Sequence, residues 1–254
     1  MPAPSRTYKT RAIVLRARNL GEADKIYTLF SEESGKLDAV AKGVRRANSR
    51  LAGRLEFMCE SLLGMHRGRN LDVVTSADVV TACWTGIVDP AAFATAHLIA
   101  ELVDAFCEPD LALPEVYALL RGAVRGIAAA EDPARLIPRF ELLLLGALGY
   151  APEAERCVSC GEPLEGCPAW ADLEAGGLAC ERCRPHAADG HPLDAADGAN
   201  FRALGAARGG PLRPAAHATG AVARAVDAFV TYHLGKRPKA GRVLDELARA
   251  GAQR

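Results

Sequence analysis

The sequence lacks the features that mark several large classes of protein. No apolar run approaches the roughly 20 residues that a membrane-spanning helix needs; the longest lies near residues 142–148 of the 254. The opening residues, MPAPSRTYKTR, contain no apolar core of signal-peptide length, so we expect a cytoplasmic protein that is not bound to a membrane. Half of the residues are apolar and 24% are charged, which indicates a globular chain and argues against a disordered one.

Nucleotide-binding and catalytic signatures are also missing. The chain has neither the G-x-x-x-x-G-K-[ST] loop that cradles phosphates nor the G-x-G-x-x-G turn of dinucleotide sites. None of its six histidines is followed two residues later by glutamate, as in zinc deaminases, and no H-E-x-x-H occurs. We therefore expect a protein that binds no nucleotide and is not an enzyme.

The formal net charge is zero, but the charges are unevenly distributed. Residues 1–80 hold 14 Lys and Arg against 9 Asp and Glu, residues 81–150 hold 4 against 9, and residues 151–254 hold 13 of each. A basic first third followed by an acidic second third predicts separate domains with separate partners. The alternative explanation is a drift in composition without functional meaning.

Five of the eight cysteines fall within 27 residues. Four of them form C-x2-C twice, with 19 residues between the pairs: Cys157, Cys160, Cys180 and Cys183. This spacing is typical of a site in which four thiolates hold zinc tetrahedrally, so we predict one structural zinc ion per chain. Free thiols or a redox pair are the alternative. Cys167 has no partner at this spacing, and His186 and His191 are expected on the surface because four thiolates already complete the shell.

Residues 7–80 have the pattern of five short strands, separated by turns such as ESGK at residues 33–36 and RGRN at residues 67–70. Five strands at intervals of 8 to 15 residues predict a small closed barrel. The OB-fold is the five-stranded barrel that also binds oligonucleotides. We therefore predict an α+β multidomain chain that begins with such a barrel.

Helix signals dominate the rest of the chain outside the cysteine-rich stretch. Helix starts are predicted at Asp89, Pro114, Asp132 and Thr219, and Pro138 predicts a kink or a delayed start. Four segments follow: an OB-fold domain (1–80), the first part of a helical domain (81–150), a zinc-binding segment (151–190) and C-terminal helices that pack on the helical domain (191–254).

The cations of the first domain gather around a loop without acids. No Asp or Glu occurs between Lys42 and Arg54. Cations that follow phosphates, with aromatic rings that stack on bases, are what single-strand binding requires. Phe30 and Phe57 are expected in the core and Tyr8 nearer the surface; a solvated barrel surface is the alternative role for the cations. The predicted DNA-binding residues are Arg11, Lys36, Lys42, Arg45, Arg46 and Arg50.

This opening resembles that of the bacterial RecO recombination mediators. The matching pieces are IVL at 13–15, GEADK at 21–25, GK at 35–36, AKG at 41–43, and Arg46 with Ser49. The later order of helical domain, CxxCG and second CxxC also fits. The resemblance implies an OB-fold, a helical domain and a zinc knuckle. It further implies nucleoid-associated DNA repair in the RecF pathway: binding of single- and double-stranded DNA, strand annealing and, with RecR, loading of recombinase on strands coated by single-strand-binding protein.

Four arginines are the only cations of the acidic helical stretch: Arg121, Arg125, Arg135 and Arg139. The first two are four residues apart and share a helix face. We expect the four to hold the acidic C-terminal tail of single-strand-binding protein, the guest that the RecO resemblance implies. Alternatively, they only balance nearby acids.

For the whole chain, a zinc-containing nucleic-acid enzyme and a scaffold without DNA contact are the competing functions.

Overall fold

The computed structural model of the protein describes residues 6–84, 89–184, 190–206, 212–214 and 218–251. The chain divides into two compact units, residues 1–129 and 130–254. The division predicted from the sequence instead placed its first boundary after residue 80. The helices between residues 81 and 129 are therefore part of the same compact unit as the N-terminal strands.

Five N-terminal strands close into a barrel in the order β1-β2-β3-β5-β4, as an OB-fold requires. The first strand is long enough to pair with β4 through its first half and with β2 through its second half, and its register shifts between Val14 and Arg16. The predicted barrel is confirmed. Its strands are β1 (Thr7–Leu20), β2 (Asp24–Ser31), β3 (Gly35–Ala41), β4 (Glu60–His66) and β5 (Asp72–Thr81).

Apolar and polar residues alternate along the strands, and the apolar side chains fill the barrel. On β3, Leu37, Ala39 and Ala41 are buried in the interior, while Lys36 and Asp38 point outward. Side chains at alternate positions of a strand lie on opposite faces, so this pattern fixes the register of β3. Phe30 is fully buried, as expected from the sequence.

Two helices complete the first unit: α1 (Pro90–Phe106) and α2 (Pro114–Ala129). The Asp89 side chain caps α1 by accepting a hydrogen bond from the Ala92 N–H at 2.9 Å. On α2, the hydroxyl of Tyr117 donates to the buried Glu60 of β4 at 2.9 Å. The hydroxyl of Thr81 on β5 donates to the other oxygen of that carboxylate at 3.0 Å. The bond between Tyr117 and Glu60 thus joins α2 to the barrel.

The segment after α1 runs along the first half of β3. The Asp110 N–H donates to the Lys36 carbonyl at 2.9 Å, and Lys36 forms an isolated parallel bridge with Pro109. Gly35 allows this approach, since a Cβ there would lie 1.8 Å from the Leu111 carbonyl oxygen. The segment after α1 thus covers the backbone of β3 at Gly35 and Lys36.

The second unit combines helices with a small sheet. A 3-10 turn at Pro133–Leu136 precedes α3, so Pro138 marks a delayed helix start, as predicted. Helices α4 and α5 pack on α3, and Thr219 caps α5. Among the described residues, no helix is long and apolar enough to span a bilayer. The elements are α3 (Ile137–Ala147), β6 (Ala169–Asp172), β7 (Gly177–Cys180), β8 (His191–Leu193), α4 (Ala195–Ala206), α5 (Gly220–Leu234) and α6 (Lys239–Gly251).

Candidate four-cysteine site and basic surface

The two C-x2-C pairs meet in the second unit. The sulfur atoms of Cys157, Cys160, Cys180 and Cys183 all lie within 4.8 Å of one another. Those of Cys160 and Cys180 are 3.8 Å apart. A tetrahedron with metal–sulfur bonds of about 2.3 Å has sulfur–sulfur edges of about 3.8 Å. The four side chains could therefore hold one metal ion.

Backbone hydrogen bonds shape the first pair and join it to the second. The Gly161 N–H donates to the Cys157 carbonyl at 2.8 Å, and Gly161 has a φ of +75°, which suits glycine and closes the turn. The Val158 N–H donates to the Leu178 carbonyl of β7 at 3.0 Å. Cys180 ends β7 and donates its N–H to the Cys157 sulfur at 3.3 Å. Strand β7 thus brings the second pair against the first.

The electrostatics of the cluster favour a bound cation. Burial raises the pKa of the Cys157 thiol, but the N–H groups of Cys180, Cys160 and Ser159 outweigh this and lower the pKa to about 6. The neighbouring sulfurs of Cys160 and Cys180 raise the pKa of Cys183 to about 12. Four adjacent thiolates repel one another, and a divalent ion removes that repulsion. Thiolate is also the form in which cysteine binds metals.

The remaining candidate ligands stay outside this group. Cys167 is exposed and is not one of the four clustered cysteines. His191 lies in β8, half-buried and paired with Ala171 of β6, so it is in a small sheet rather than a loop. His186 lies outside the described residues. An all-sulfur group of four suits zinc by the chemistry of its donors.

The structure divides the six predicted DNA-binding residues between two ends of the barrel. Lys42, Arg45, Arg46 and Arg50 lie together in the connection between β3 and β4, and all four are exposed. Arg11 and Lys36 lie near the opposite end, where β2 turns into β3. Six residues of strand at about 3.3 Å each put Lys36 and Lys42 roughly 20 Å apart.

Lys36 is held by contacts within the first unit. Only 15% of its side chain is exposed, and its ammonium group lies 3.3 Å from the Asp104 carboxylate of α1. It also donates to the Asp104 carbonyl. Arg16 pairs with the same carboxylate at 2.8 Å. Arg11, in contrast, is exposed beside Leu62 of β4.

The basic connection is anchored to the turn between β1 and β2. Arg45 donates its backbone N–H to the Ala23 carbonyl and its Nη1 to the Gly21 carbonyl, both at 3.0 Å. The Asp24 carboxylate accepts from the Gly43 N–H at 2.7 Å. These bonds fix the start of the connection, and Arg46 remains exposed to solvent. We name the exposed cations Lys42, Arg45, Arg46 and Arg50 the basic loop.

The strands bring to this end two cations that the predicted DNA-binding set did not include. Arg18 lies near the end of β1, and Lys25 near the start of β2 pairs with Ala41, the residue before Lys42. A hairpin centred on the turn at residues 21–23 could have predicted the positions of both cations. Its register places the end of β1 and the start of β2 beside the end of β3.

The aromatic residues near the basic segments present little ring surface for stacking on bases. Tyr27 and Phe30 are buried. Tyr8, expected nearer the surface, is half-buried: its hydroxyl donates to Asp72 at 2.5 Å, and burial together with that bond raises its pKa. Phe57, which was predicted in the core, is instead half-buried against other rings. Phosphate contacts are therefore the interaction that the basic loop offers.

The four arginines of the acidic helical stretch fall in different units. Arg121 and Arg125 lie on α2; Arg121 is half-buried with its guanidinium 5.9 Å from the centre of the Tyr117 ring, and Arg125 is exposed. Arg135 is exposed in the 3-10 turn of the second unit, and Arg139 is half-buried on α3.

The fold and the candidate sites define a class of protein. Its members combine an OB-fold barrel that carries a basic loop with a helical unit that carries a four-cysteine cluster. The family description "Recombination protein O N terminal" matches residues 5–83, and "Recombination protein O C terminal" matches residues 88–242. The chain therefore belongs to the recombination protein O (RecO) family of DNA repair proteins.

Individual relatives agree with this assignment. A protein named DNA repair protein RecO from Nocardioides sp. is 37% identical over 184 residues, which cover 70% of this chain and 74% of the relative. A protein of the same name from Bifidobacterium adolescentis is 38% identical over 179 residues, covering 68% and 72%.

Proposed function

We propose that this protein binds DNA through the basic loop and acts as a recombination mediator in the RecF pathway. The observation that carries the proposal is the run of exposed cations from Lys42 to Arg50, which contains no acid and is fixed to the barrel through Arg45. Its phosphate contacts would serve both single- and double-stranded DNA, since they do not read base sequence.

The opposite end of the barrel supports the proposal by contrast. Asp104 and Asp110 lie beside the start of β3, and Asp104 already takes two cations. Phosphates would meet carboxylates there, whereas the basic loop presents cations alone. We therefore propose the basic loop as the DNA site, with Arg18 and Lys25 beside it. Arg11 and Lys36, also predicted to bind DNA, lie at the other end of the barrel.

Charge reversal tests the site. Full-length protein with Arg45→Glu and Arg46→Glu should bind single strands at least tenfold more weakly at low salt. The slope of log affinity against log salt should flatten by about 0.7 per lost contact. Reversal of the exposed Arg213 and Arg224 in the second unit is the matched control and should change neither. An unchanged slope in the double variant would contradict the site and favour the basic stretch at residues 236–242.

The mediator role needs no nucleotide hydrolysis. The protein would anneal complementary strands by neutralising their phosphates and, with RecR, load recombinase on strands coated by single-strand-binding protein in the cytoplasm, at the nucleoid. An annealing assay without added nucleotide tests this. Annealing that is absent without nucleotide, or that the Arg45 and Arg46 reversals leave intact, would contradict it.

We propose further that Cys157, Cys160, Cys180 and Cys183 hold one structural zinc ion. The ion would join the two C-x2-C pairs, and with four thiolates it would have no open position for catalysis. All-sulfur donors at tetrahedral spacing support this choice of metal.

The acidic tail of single-strand-binding protein is the proposed guest of Arg121 and Arg125; Arg135 and Arg139, also predicted to hold it, lie in the other unit. Arg121 and Arg125 support this because they are four residues apart on α2. A synthetic tail peptide should bind much more weakly after Arg121→Ala with Arg125→Ala, while DNA binding stays the same. Equal peptide affinity would mean that these arginines only balance acids.

A further inference from the structure

The four cysteines of the cluster differ in their access to solvent. Cys157 is buried, Cys180 and Cys183 are half-buried, and Cys160 is exposed. The reactivity of a thiolate depends on access to its sulfur as well as on its chemistry. A reagent that arrives from solution therefore meets Cys160 before the other three cysteines.

The turn around Cys160 leaves this side of the cluster open. Residues 159–163 are all exposed. A Cβ added to Gly161 would have no heavy atom within 4 Å in the described part of the chain, apart from its two chain neighbours. Small molecules can therefore approach the cluster from the side on which Cys160 lies.

Hydrogen bonds add a second difference among the sulfurs. The Cys157 sulfur accepts hydrogen bonds from the backbone N–H groups of three neighbouring residues. The Cys180 sulfur accepts one from the Cys183 N–H and one from the Arg182 side chain. A donor that stabilises a thiolate also makes it a weaker nucleophile. Cys157 and Cys180 are therefore stabilised thiolates, and Cys157 is buried as well.

We propose that Cys160 is the site at which a peroxide oxidises this protein, and that this oxidation releases the zinc ion. The inference rests on the proposed zinc site and adds to it a route by which the ion is lost. The thiolate form, in which cysteine binds metals, is also the form that attacks a peroxide.

The reaction takes two steps. The Cys160 thiolate attacks one oxygen of hydrogen peroxide, so that a sulfur–oxygen bond forms, the oxygen–oxygen bond breaks and hydroxide leaves. The Cys180 thiolate, whose sulfur lies 3.8 Å away, then attacks the oxidised sulfur, so that a disulfide forms and a second hydroxide leaves. Two thiolates are oxidised and one peroxide is reduced. Only Cys157 and Cys183 then remain as thiolates, too few for a tetrahedral shell.

The test follows zinc and cysteine modification together. It uses the full chain with Cys167→Ser, which removes the other exposed cysteine of the eight. Less than one equivalent of N-ethylmaleimide, followed by peptide mass spectrometry, shows which sulfur reacts first. Cys160 should carry at least tenfold more label than Cys157. A zinc-sensitive dye should report release of the ion as hydrogen peroxide joins Cys160 to Cys180.

Two histidine variants separate the reactivity of Cys160 from the stability of the site. Histidine is a ligand in many structural zinc sites, so Cys160→His and Cys183→His can each keep the metal. Peroxide should release zinc from Cys160→His at least tenfold more slowly than from the parent. Cys183→His makes the same change of donor but keeps the exposed thiolate, so it should protect the zinc much less. If either variant binds no zinc, the labelling order in the parent decides alone.

The zinc content of the untreated protein distinguishes the two proposals. Untreated protein without zinc would refute the metal site, and this inference with it. Protein that holds zinc but takes the first label at Cys157, Cys180 or Cys183 would keep the metal site and overturn the role of Cys160. Equal protection in the two histidine variants, or release of zinc by peroxide while Cys160 stays unmodified, would overturn that role as well.

Discussion

The barrel of the first unit and the cysteine segment of the second unit differ in the size of their apolar cores. The barrel of the first unit encloses thirteen buried side chains in one apolar cluster. In the second unit, residues 152–184 bury only six apolar side chains, and three of these are alanines. Apolar burial contributes about 25 cal/mol per Å² of surface removed from water. The barrel can therefore fold on its core, whereas we expect the cysteine segment to depend on the proposed metal.

Removal of the metal should have the largest effect, and it should be confined to the second unit. Structural zinc contributes on the order of 10 kcal/mol to small metal-stabilised domains. We expect the parent to hold close to one zinc per chain and Cys160→Ser to lose it. In the variant, residues 152–184 should exchange their amide hydrogens freely, while the barrel keeps its protection.

Cys167→Ser is the matched control, because Cys167 is exposed and outside the cluster. It should keep the metal and the protection of the segment. Freshly purified parent without zinc would refute the metal assignment. Loss of barrel protection in Cys160→Ser would refute the contrast between the units.

A cavity in the barrel core should destabilise the first unit and leave the cysteine segment unchanged. Leu29 is fully buried in the apolar cluster, and Leu29→Ala should destabilise the first unit by about 2–5 kcal/mol. Denaturant unfolding measures this, and the zinc content should stay the same. Leu62→Ala, at an exposed position of β4, should cost less than 1 kcal/mol. Equal costs at the two positions would show that the barrel interior does not carry the stability.

Glu141 should make the stability of the second unit depend on pH, with a smaller effect than the two changes above. It is buried on α3, and burial raises its pKa well above the usual value, with Asp227 adding to the effect and Arg237 opposing it. The folded state therefore binds a proton that the unfolded state releases above about pH 4.5. The Glu141 side chain therefore lowers the free energy of unfolding as pH rises from about 4.5 toward its raised pKa.

Glu141→Gln keeps the shape of the protonated side chain without the titration. We expect its melting temperature to exceed that of the parent by a few degrees at pH 7, and the two to converge toward pH 4. A constant difference at all pH values would mean that the charge of Glu141 is not its cause.

Local signals in the sequence account for most of the fold. The strand pattern, the cap at Asp89 and the repeated C-x2-C each depend on residues within a few positions of one another, and the structure confirms the barrel and the clustered cysteines. The association of α2 with the barrel depends on Tyr117 and Glu60, which are 57 residues apart. No local pattern announces such a contact.

The same limit applies to the candidate DNA site. The basic loop is contiguous in sequence and could be recognised as one cluster. Lys36 carries the same charge, but its partner Asp104 lies 68 residues further along the chain. The prediction of the DNA-binding residues used charge alone. It therefore grouped Lys36, whose ammonium group is paired with Asp104, with cations that are exposed.

Lys36 and Lys42 allow the finest comparison, because both are lysines on the outer side of β3 or directly after it. Lys42→Ala should weaken single-strand binding a few-fold and flatten the salt slope by about 0.7, since an exposed phosphate contact is lost. Lys36→Ala should leave both unchanged and instead lower the melting temperature, because it leaves Asp104 with one cation fewer. Binding by fluorescence anisotropy across a salt series, with thermal unfolding of each variant, measures both effects. If Lys36→Ala flattened the slope as much as Lys42→Ala, DNA would reach both ends of β3, and the covered start of that strand would be part of the binding surface.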